Sequence, residues 1–440
     1  MLSRWTRLLP VMMIAFIIAF MDRTNIGFAI PTMGKDLNLD QSALGFASGV
    51  LFLGYGISQP LGGWIADRGY GRALVAALMV LWGAAEIALG FIDTPTELAI
   101  VRFLLGFFEG GIFPTMLLFV RTWFAPSERA RANGVWQLAY PLAGMVSGPI
   151  AGLVLDHGTW RTLFIVEGVF PIVWAAAWLW GIAASPQEAR WLEPADRAAL
   201  LTRLGAEAEL PAATGAGGGI GAQMKRLSVI LFTVAVFFWN IGFLGFIIWL
   251  PSVLHQDKTL SQTAVGSLSA LPFAAAIVVM QFLTRWSDQT RDRRRFAAWP
   301  ILICGAALVT AALTYEDNGL TMNLGLLTLA GAMLYGSQPV LWSIPGDILP
   351  RQVAGAITGI MNGVGVFGAF IGPFLVGYVR ALSGSFSMGL GALGACLLLA
   401  GVLVHRIKEA SPSADMGGNR QHGPRHRPDI AAHSDGADRR

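Results

Sequence analysis

Twelve stretches of about 20 mostly apolar residues follow one another along the chain, and each is long enough to cross a bilayer as a helix. Of the 440 residues, 13% are charged, which is about half the share that soluble domains carry. The sequence therefore predicts an all-α polytopic membrane protein with twelve transmembrane helices, and it excludes an ordinary soluble enzyme. The stretches span residues 8–33, 44–66, 73–92, 97–120, 132–155, 163–184, 227–254, 264–286, 297–315, 321–346, 352–380 and 386–406.

A polar connection separates the sixth stretch from the seventh. It opens with a helix-like run, Glu188–Glu209, and closes with the glycine-rich segment Gly215–Gly221. A polar tail follows the last stretch, and its composition is typical of disorder. We expect an N-terminal six-helix bundle, a cytoplasmic linker, a C-terminal six-helix bundle and a disordered cytoplasmic tail, over residues 1–184, 185–226, 227–410 and 411–440.

Short motifs recur in the two halves in the same order. Gly144-x-x-x-Gly148-Pro149 in the fifth stretch has its counterpart in Gly368-x-x-x-Gly372-Pro373 in the eleventh, 224 positions later. Such echoes indicate a tandem duplication, and parallel six-helix repeats are typical of one transporter architecture. We therefore expect two pseudo-symmetric bundles, in which the paired motifs share a packing role.

The arginines are distributed unevenly between the two sides of the membrane. With a cytoplasmic N-terminus, the cytoplasmic connections include those of Arg68, Arg121 and Arg293, whereas the opposite side receives few basic residues, Lys35 and Arg161 among them. The positive-inside rule then predicts that both termini are cytoplasmic, in the inner (plasma) membrane of a bacterium.

Four charged residues lie within the apolar stretches or at their edges: Asp22, Arg23, Arg102 and Glu109. At mid-bilayer each charge costs about 2.5–3.5 kcal/mol, so these groups must face one another or a wet cavity. Arg102 and Glu109 are seven positions apart and share one helix face, about 10.5 Å apart along the axis. Asp22 and Arg23 point about 100° apart and must have different partners.

Two interpretations fit these four charges. In the first, Arg23 and Arg102 hold a substrate carboxylate, because the planar guanidinium group matches its two oxygens, while Asp22 and Glu109 take up the coupled protons. In the second, the four residues form permanent ion pairs that only fix helix packing.

Other kinds of site have little support in the sequence. Cys304 and Cys396 lie in apolar stretches without CxxC spacing, so we expect neither a disulfide nor a metal site. The basic residues are scattered over the connections, which argues against nucleic-acid binding. With no catalytic grouping and no phosphate-binding loop, we expect no cofactor and no enzymatic activity. We expect a monomer in the lipid bilayer.

The connection after the second stretch carries a signature that resembles the major facilitator superfamily. It reads Gly63-x-x-x-Asp67-Arg68-x-x-Gly71-Arg72, one residue longer than the usual spacing. The resemblance implies the major facilitator fold. It also implies a conformational lock formed by Gly63, Asp67, Arg68 and Arg72, with a counterpart at Asp288, where Gln289 replaces the usual arginine.

A narrower resemblance is to the anion:cation symporter family, which includes sugar-acid, tartrate and aromatic-acid permeases and the vesicular glutamate transporters. It rests on Asp22-Arg23-Thr24-Asn25 in the first stretch and on Arg102 seven residues before Glu109 in the fourth, and it extends from Leu8 to Arg406. Phe20 stands where many members have tyrosine, which puts sugar-acid specificity in doubt.

Uncharged side chains at suitable depths are expected to line the substrate cavity, although helix packing explains each of them equally well. Glu86, in the third stretch, is either a further buried acid or a helix-pairing group. Glu167 resembles a structural position of the family, so we assign it mainly to structure. The expected lining residues are Phe20, Asn25, Tyr55, Gln137, Tyr140, Trp342 and Asn362.

Together these features predict a proton-coupled symporter that imports a small organic carboxylate. An exporter or exchanger of organic anions remains an alternative, because Gly144-x-x-x-Gly148-Pro149-x-x-Gly152 partly resembles a motif of proton-coupled drug exporters. A membrane-embedded enzyme or receptor is a remote one. The sequence leaves open which acid is carried, and whether protons or sodium drive its transport.

Overall fold

The computed structural model describes residues 4–208, 220–290, 292–314 and 319–407. Every regular element in these ranges is helical. The helices are α1 (Arg4–Asp36), α2 (Gln41–Ile65), α3 (Gly71–Leu89), α4 (Pro95–Gly110), α5 (Ile112–Trp123), α6 (Pro126–Gln137), α7 (Ala139–His157), α8 (Trp160–Gly181), α9 (Pro194–Ala208), α10 (Ile220–Met224), α11 (Leu227–Leu254), α12 (Gln262–Ser269), α13 (Leu271–Thr290), α14 (Arg293–Thr314), α15 (Leu320–Leu341), α16 (Ile344–Ile348), α17 (Arg351–Ser383) and α18 (Phe386–Arg406).

Eleven helical segments of the described chain are long and apolar enough to cross a membrane. One of them, Gln41–Leu89, has 49 residues, about twice the length that a single crossing needs. It turns at Gly69, whose φ of 89° lies in the left-handed region that favours glycine. Counting α2 and α3 separately gives twelve crossings, as the sequence predicts.

Short capping motifs begin several helices on the side of the membrane where α1 ends. The Asp40 carboxylate accepts a hydrogen bond from the Ala43 N–H at 2.7 Å and starts α2. Thr94 and Glu97 form a reciprocal capping box at the start of α4. These contacts satisfy N–H groups that the first turn of a helix leaves without partners.

The connection between the halves differs in part from the sequence prediction. The helix expected at Glu188–Glu209 begins later, at Pro194, where a proline fits the first turn without losing a hydrogen bond. Gly221 lies in the short helix α10, whereas the rest of the glycine-rich segment up to Gly219 lies outside the described residues. The tail expected to be disordered, residues 411–440, also lies outside them.

Glycines bring the two halves into backbone contact. Gly45 of α2 packs against Gly377 of α17, and Gly148 of α7 packs against Gly266 of α12; a Cβ at any of the four would collide with the facing backbone. Both contacts lie towards the side opposite the chain termini. The paired motifs therefore differ in role, because Gly148 packs against the other half whereas Gly372 packs against α11 of its own half. The shared packing role expected from sequence is wrong.

Large apolar side chains cover the outer surface of the helices. Trp180, Leu313 and Phe91 are 83%, 78% and 70% exposed. In water such a surface would aggregate, whereas in a bilayer it faces lipid tails. The structure therefore agrees with a multi-pass membrane protein.

Candidate functional site

Four consecutive polar residues of α1 lie in the interior of the first half. Asp22, Arg23, Thr24 and Asn25 are all buried. Successive residues of a helix point about 100° apart, so each of the four faces a different neighbour. This turn of α1 therefore organises the polar centre of the bundle.

Arg23 pairs with Glu109 of α4. Its Nε donates a hydrogen bond to Glu109 Oε1 at 2.6 Å, and the side chains are 6% and 0% exposed. The guanidinium group also lies over the Tyr55 ring, 4.5 Å from its centroid. Among the described residues, Arg23 Nη2 and Glu109 Oε2 have no hydrogen-bond partner. The ion pair thus leaves one donor and one acceptor unused.

Arg102 lies on the same helix and is fully buried. Its Nη1 donates to the backbone oxygen of Asp22 at 3.2 Å, while its Nε and Nη2 have no partner in the described part of the chain. A buried guanidinium group without a paired anion is strongly unfavourable. Arg102 is therefore chemically prepared to receive an anion.

Three acids meet on the other side of α1. One carboxylate oxygen from each of Asp22, Glu86 and Glu167 lies within 4.8 Å of the other two, and all three side chains are fully buried. Asn25 joins two of them, because its Nδ2 donates to Glu86 Oε1 and, at 2.7 Å, to Glu167 Oε2. We call Asp22, Glu86 and Glu167 the acid trio.

Sequence reasoning missed the trio, since it assigned Glu86 and Glu167 mainly to packing. The available signal was the small residue beside each acid in mid-helix, Gly83 and Gly168. These two glycines bring α3 and α8 into backbone contact, where a Cβ on either would meet the other's carbonyl oxygen at 2.6 or 2.7 Å. Close packing of the two helices places both acids at one depth.

Aromatic side chains form a wall beside Arg23. Phe20 meets Tyr140 edge to face, with ring centroids 5.3 Å apart, and Phe16 meets Tyr140 at 4.8 Å. Phe16 also lies under the Arg23 guanidinium group, 5.6 Å from the ring centroid. The cation therefore lies between rings, in surroundings that suit a planar or apolar substrate body.

The remaining expected lining residues lie in other contacts. Asn362 of α17 donates to Gln59 of α2 at 3.2 Å and joins the two halves. Trp342 packs against Phe232 at 6.2 Å, and Gln137 is half-buried at the end of α6. Within the described ranges, no hydrogen bond or ring contact joins these three to Arg23. Asn25, expected to contact substrate, binds the acid trio instead.

The expected lock residues make contacts within their own half. Arg68 lies over the Trp64 ring at 3.4 Å and donates to the Trp64 backbone oxygen at 2.8 Å, and Arg72 donates to the backbone oxygen of Leu179 in α8. Gly63, at the end of α2, packs loosely against Pro114 of α5. Asp67 and Asp288 are exposed. The described conformation thus places these groups without bridging the halves.

On the side opposite the termini, the halves are joined by hydrogen bonds. The Asp156 carboxylate at the end of α7 accepts the backbone N–H groups of Gln262 and Thr263 at 3.0 and 2.9 Å, and so caps α12 of the other half. The Ser252 hydroxyl of α11 donates to the Gly27 backbone oxygen of α1 at 3.3 Å.

Between this seal and Arg23 there is almost no free space. The cavity lined by Thr24, Ser147 and Phe273 has a volume of about 10 Å³, too small for more than one water molecule. The site is therefore closed on the side opposite the termini.

Comparisons with known proteins agree with this architecture. The family model described as Major Facilitator Superfamily matches residues 12–373. The chain is 31% identical over 415 residues to a putative tartrate transporter of Agrobacterium vitis, covering 93% of this chain and 91% of that protein. It is 27% identical over 409 residues to the quinolone resistance transporter of Acinetobacter baumannii, covering 91% and 93%.

A solved structure shares the fold. The inward open conformation of the xylose transporter XylE from E. coli matches with a TM-score of 0.73 at 15% identity, covering 92% of this chain and 97% of that one. The fold class expected from sequence, twelve helices in two pseudo-symmetric bundles, is confirmed.

Proposed function

The chain belongs to the major facilitator superfamily, so it is a membrane transporter and not an enzyme, and we propose that it imports a small organic carboxylate together with protons. The proposed membrane is the bacterial inner membrane, with both termini in the cytoplasm, as the arginine distribution favours.

The buried guanidinium groups are the observation that carries the proposal. Arg102 has two N–H-bearing nitrogens without partners and Arg23 has one, all in the interior of the first half. A substrate carboxylate that accepts from these nitrogens would satisfy donors that no described residue satisfies, with the bidentate geometry that favours arginine over lysine. The site selects for an anion because both arginines remain charged.

The Arg23–Glu109 ion pair supplies the proposed coupling. While Glu109 is ionised, it occupies Arg23 at 2.6 Å and competes with the substrate. A proton on Glu109 removes this competition and adds one positive charge to the site. Proton and carboxylate then favour each other's binding, which is the linkage that a symporter needs.

Alternating access follows from the asymmetric closure. The Asp156 cap on α12 and the Gly148–Gly266 contact close the site on the side opposite the termini. With cytoplasmic termini, that side is the periplasm, so the described conformation faces inward. Import requires the opposite state, in which these contacts separate and the halves close near Arg68 and Asp288.

An organic-anion exporter of the same fold is the second candidate. The similarity to a quinolone resistance transporter and the glycine motif of α7 favour it. A proton-coupled exporter would move the anion and the protons in opposite directions, so an imposed pH gradient distinguishes the two functions.

The test uses purified protein in liposomes with a pH gradient and radiolabelled tartrate, chosen because its charge prevents passive entry. A symporter concentrates tartrate on the alkaline side, and an antiporter concentrates it on the acidic side. Protein-free liposomes control for leakage. If tartrate is not moved, the same assay is applied to the acids that raise the protein's melting temperature. Failure of every such acid to accumulate on the alkaline side would contradict the proposal.

A further inference from the structure

We propose that Asp22, Glu86 and Glu167 form a second proton-carrying site, which takes up one coupled proton per transport cycle in addition to the proton on Glu109. This inference rests on the proposed symport. The acid trio lies on a different face of α1 from the Arg23–Glu109 pair, and it draws its members from α1, α3 and α8.

Unpartnered oxygens are the first support. Both carboxylate oxygens of Asp22 are buried without a hydrogen-bond donor among the described residues, and so are Glu86 Oε2 and Glu167 Oε1. Asp22 therefore points an unsatisfied carboxylate at two other acids within 4.8 Å. Like charges at this spacing, away from water, cannot all stay ionised, and a shared proton satisfies two oxygens at once.

The charge balance is the second support. The groups that face Asp22 are Glu86 of α3, Glu167 of α8 and Glu109 of α4, together with Arg102. With Arg23, the buried site contains four acids and two arginines, so the fully ionised site would carry two net negative charges. Two protons, one on Glu109 and one in the trio, make it neutral, and release of either recharges it.

The surrounding groups favour protons over a metal cation. The neutral side chains directed at the trio are N–H donors: Asn25 Nδ2 contacts Glu86 and Glu167, and the Trp82 indole lies beside Asp22. The Arg102 guanidinium group adds a positive charge nearby. A sodium ion needs a shell of oxygen ligands, and donors directed at the same oxygens repel it.

The number of protons per substrate tests the inference. At zero membrane voltage, a carrier that moves two protons accumulates substrate about 100-fold per pH unit at equilibrium, whereas one proton gives about 10-fold. We expect the two-proton value for the wild-type protein in liposomes, using the acid that accumulates in the experiment above. Glu86→Gln imitates a proton that never leaves, so we expect it to retain exchange and to show the one-proton value. Glu167→Gln should behave in the same way.

Glu97→Gln is the matched control, because it makes the same chemical change on α4 at the membrane surface, where a glutamine preserves the capping box. It should keep the two-proton value. Two-proton accumulation by both trio variants would overturn the inference. If neither variant folds, the wild-type value decides, since a one-proton value refutes a second site and a two-proton value supports it.

Two further results separate this inference from the proposed function. Accumulation driven by a sodium gradient without a pH gradient would make the trio a sodium site and refute the inference. Failure of wild-type accumulation on any pH gradient would refute symport itself, together with the trio. Accumulation at the one-proton value would refute the trio alone.

Discussion

Arg23 and Glu109 meet in the interior of the first half, where Nε donates to Oε1 at 2.6 Å and neither side chain is more than 6% exposed. The pair joins α1 to α4 and puts a cation that an anionic substrate needs in the possession of an acid that a proton can neutralise. Proton uptake and substrate binding are therefore coupled at one contact.

Arg23→Lys should weaken carboxylate binding about tenfold or more, because an ammonium group cannot reproduce the paired N–H donors of a guanidinium group. Calorimetric titration of the purified protein at acidic pH is the suitable measurement, since it removes the coupling step. Arg197→Lys in the linker helix α9, where the guanidinium group donates to backbone oxygens, is the control. Unchanged affinity in Arg23→Lys would return the pair to a purely structural role.

Phe20→Tyr should change substrate preference. Phe20 lies edge to face with Tyr140 beside Arg23, and a hydroxyl group there offers a hydrogen bond to a hydroxylated acid. One such bond is worth about 1 kcal/mol, or about fivefold in affinity. We expect tartrate to bind more tightly to the variant and benzoate not to. An equal effect on both acids would show that Phe20 does not face the substrate.

Asp156→Ala should loosen the closed side of the molecule. Its carboxylate caps α12 of the other half, and loss of such a cap costs about 1 kcal/mol, enough to shift a conformational equilibrium about fivefold. Alkylation of Ser147→Cys, in a background without Cys304 and Cys396, should become faster from the side opposite the termini.

The control for this prediction is Asp257→Ala. The Asp257 carboxylate also accepts a backbone N–H, from Thr259 at 3.0 Å, but within its own half. Equal alkylation rates in the two variants would mean that the contact between halves does not control access.

Both termini should lie in the cytoplasm. An even number of crossings places the two ends on one side, and the arginine-rich connections put that side inside. A reporter that is active only in the periplasm should stay inactive at either end of the chain. Activity at one end alone would contradict the count of twelve crossings, and activity at both ends would reverse the orientation.

The elements that sequence predicted well are those set by local composition. Each crossing follows from its own apolar length, and the burial of Asp22, Arg23, Arg102 and Glu109 follows from the cost of charge in a bilayer. The acid trio depends on three separate helices meeting at one depth, which no single helix encodes. Asn25 shows the difference: its place in the motif suggested a substrate contact, whereas tertiary packing directs its amide to two acids.

The glycine motifs show the same limit. Gly148 and Gly372 occupy equivalent positions in the two repeats, yet one packs against the opposite half and the other against its own. A duplicated sequence fixes which residues are small and leaves their neighbours to the assembly of the bundles.

Glu109→Gln tests the central claim most directly, because a permanently neutral side chain imitates the protonated, loaded carrier. Exchange of labelled for unlabelled substrate requires only that the loaded carrier reorients, whereas net accumulation requires that Glu109 lose its proton. Both are measured in the same proteoliposomes, with Glu97→Gln as a control that should retain both. We predict that Glu109→Gln retains exchange and fails to concentrate substrate on a pH gradient. Retention of both activities would contradict the account, since proton coupling would then not pass through the Arg23–Glu109 pair.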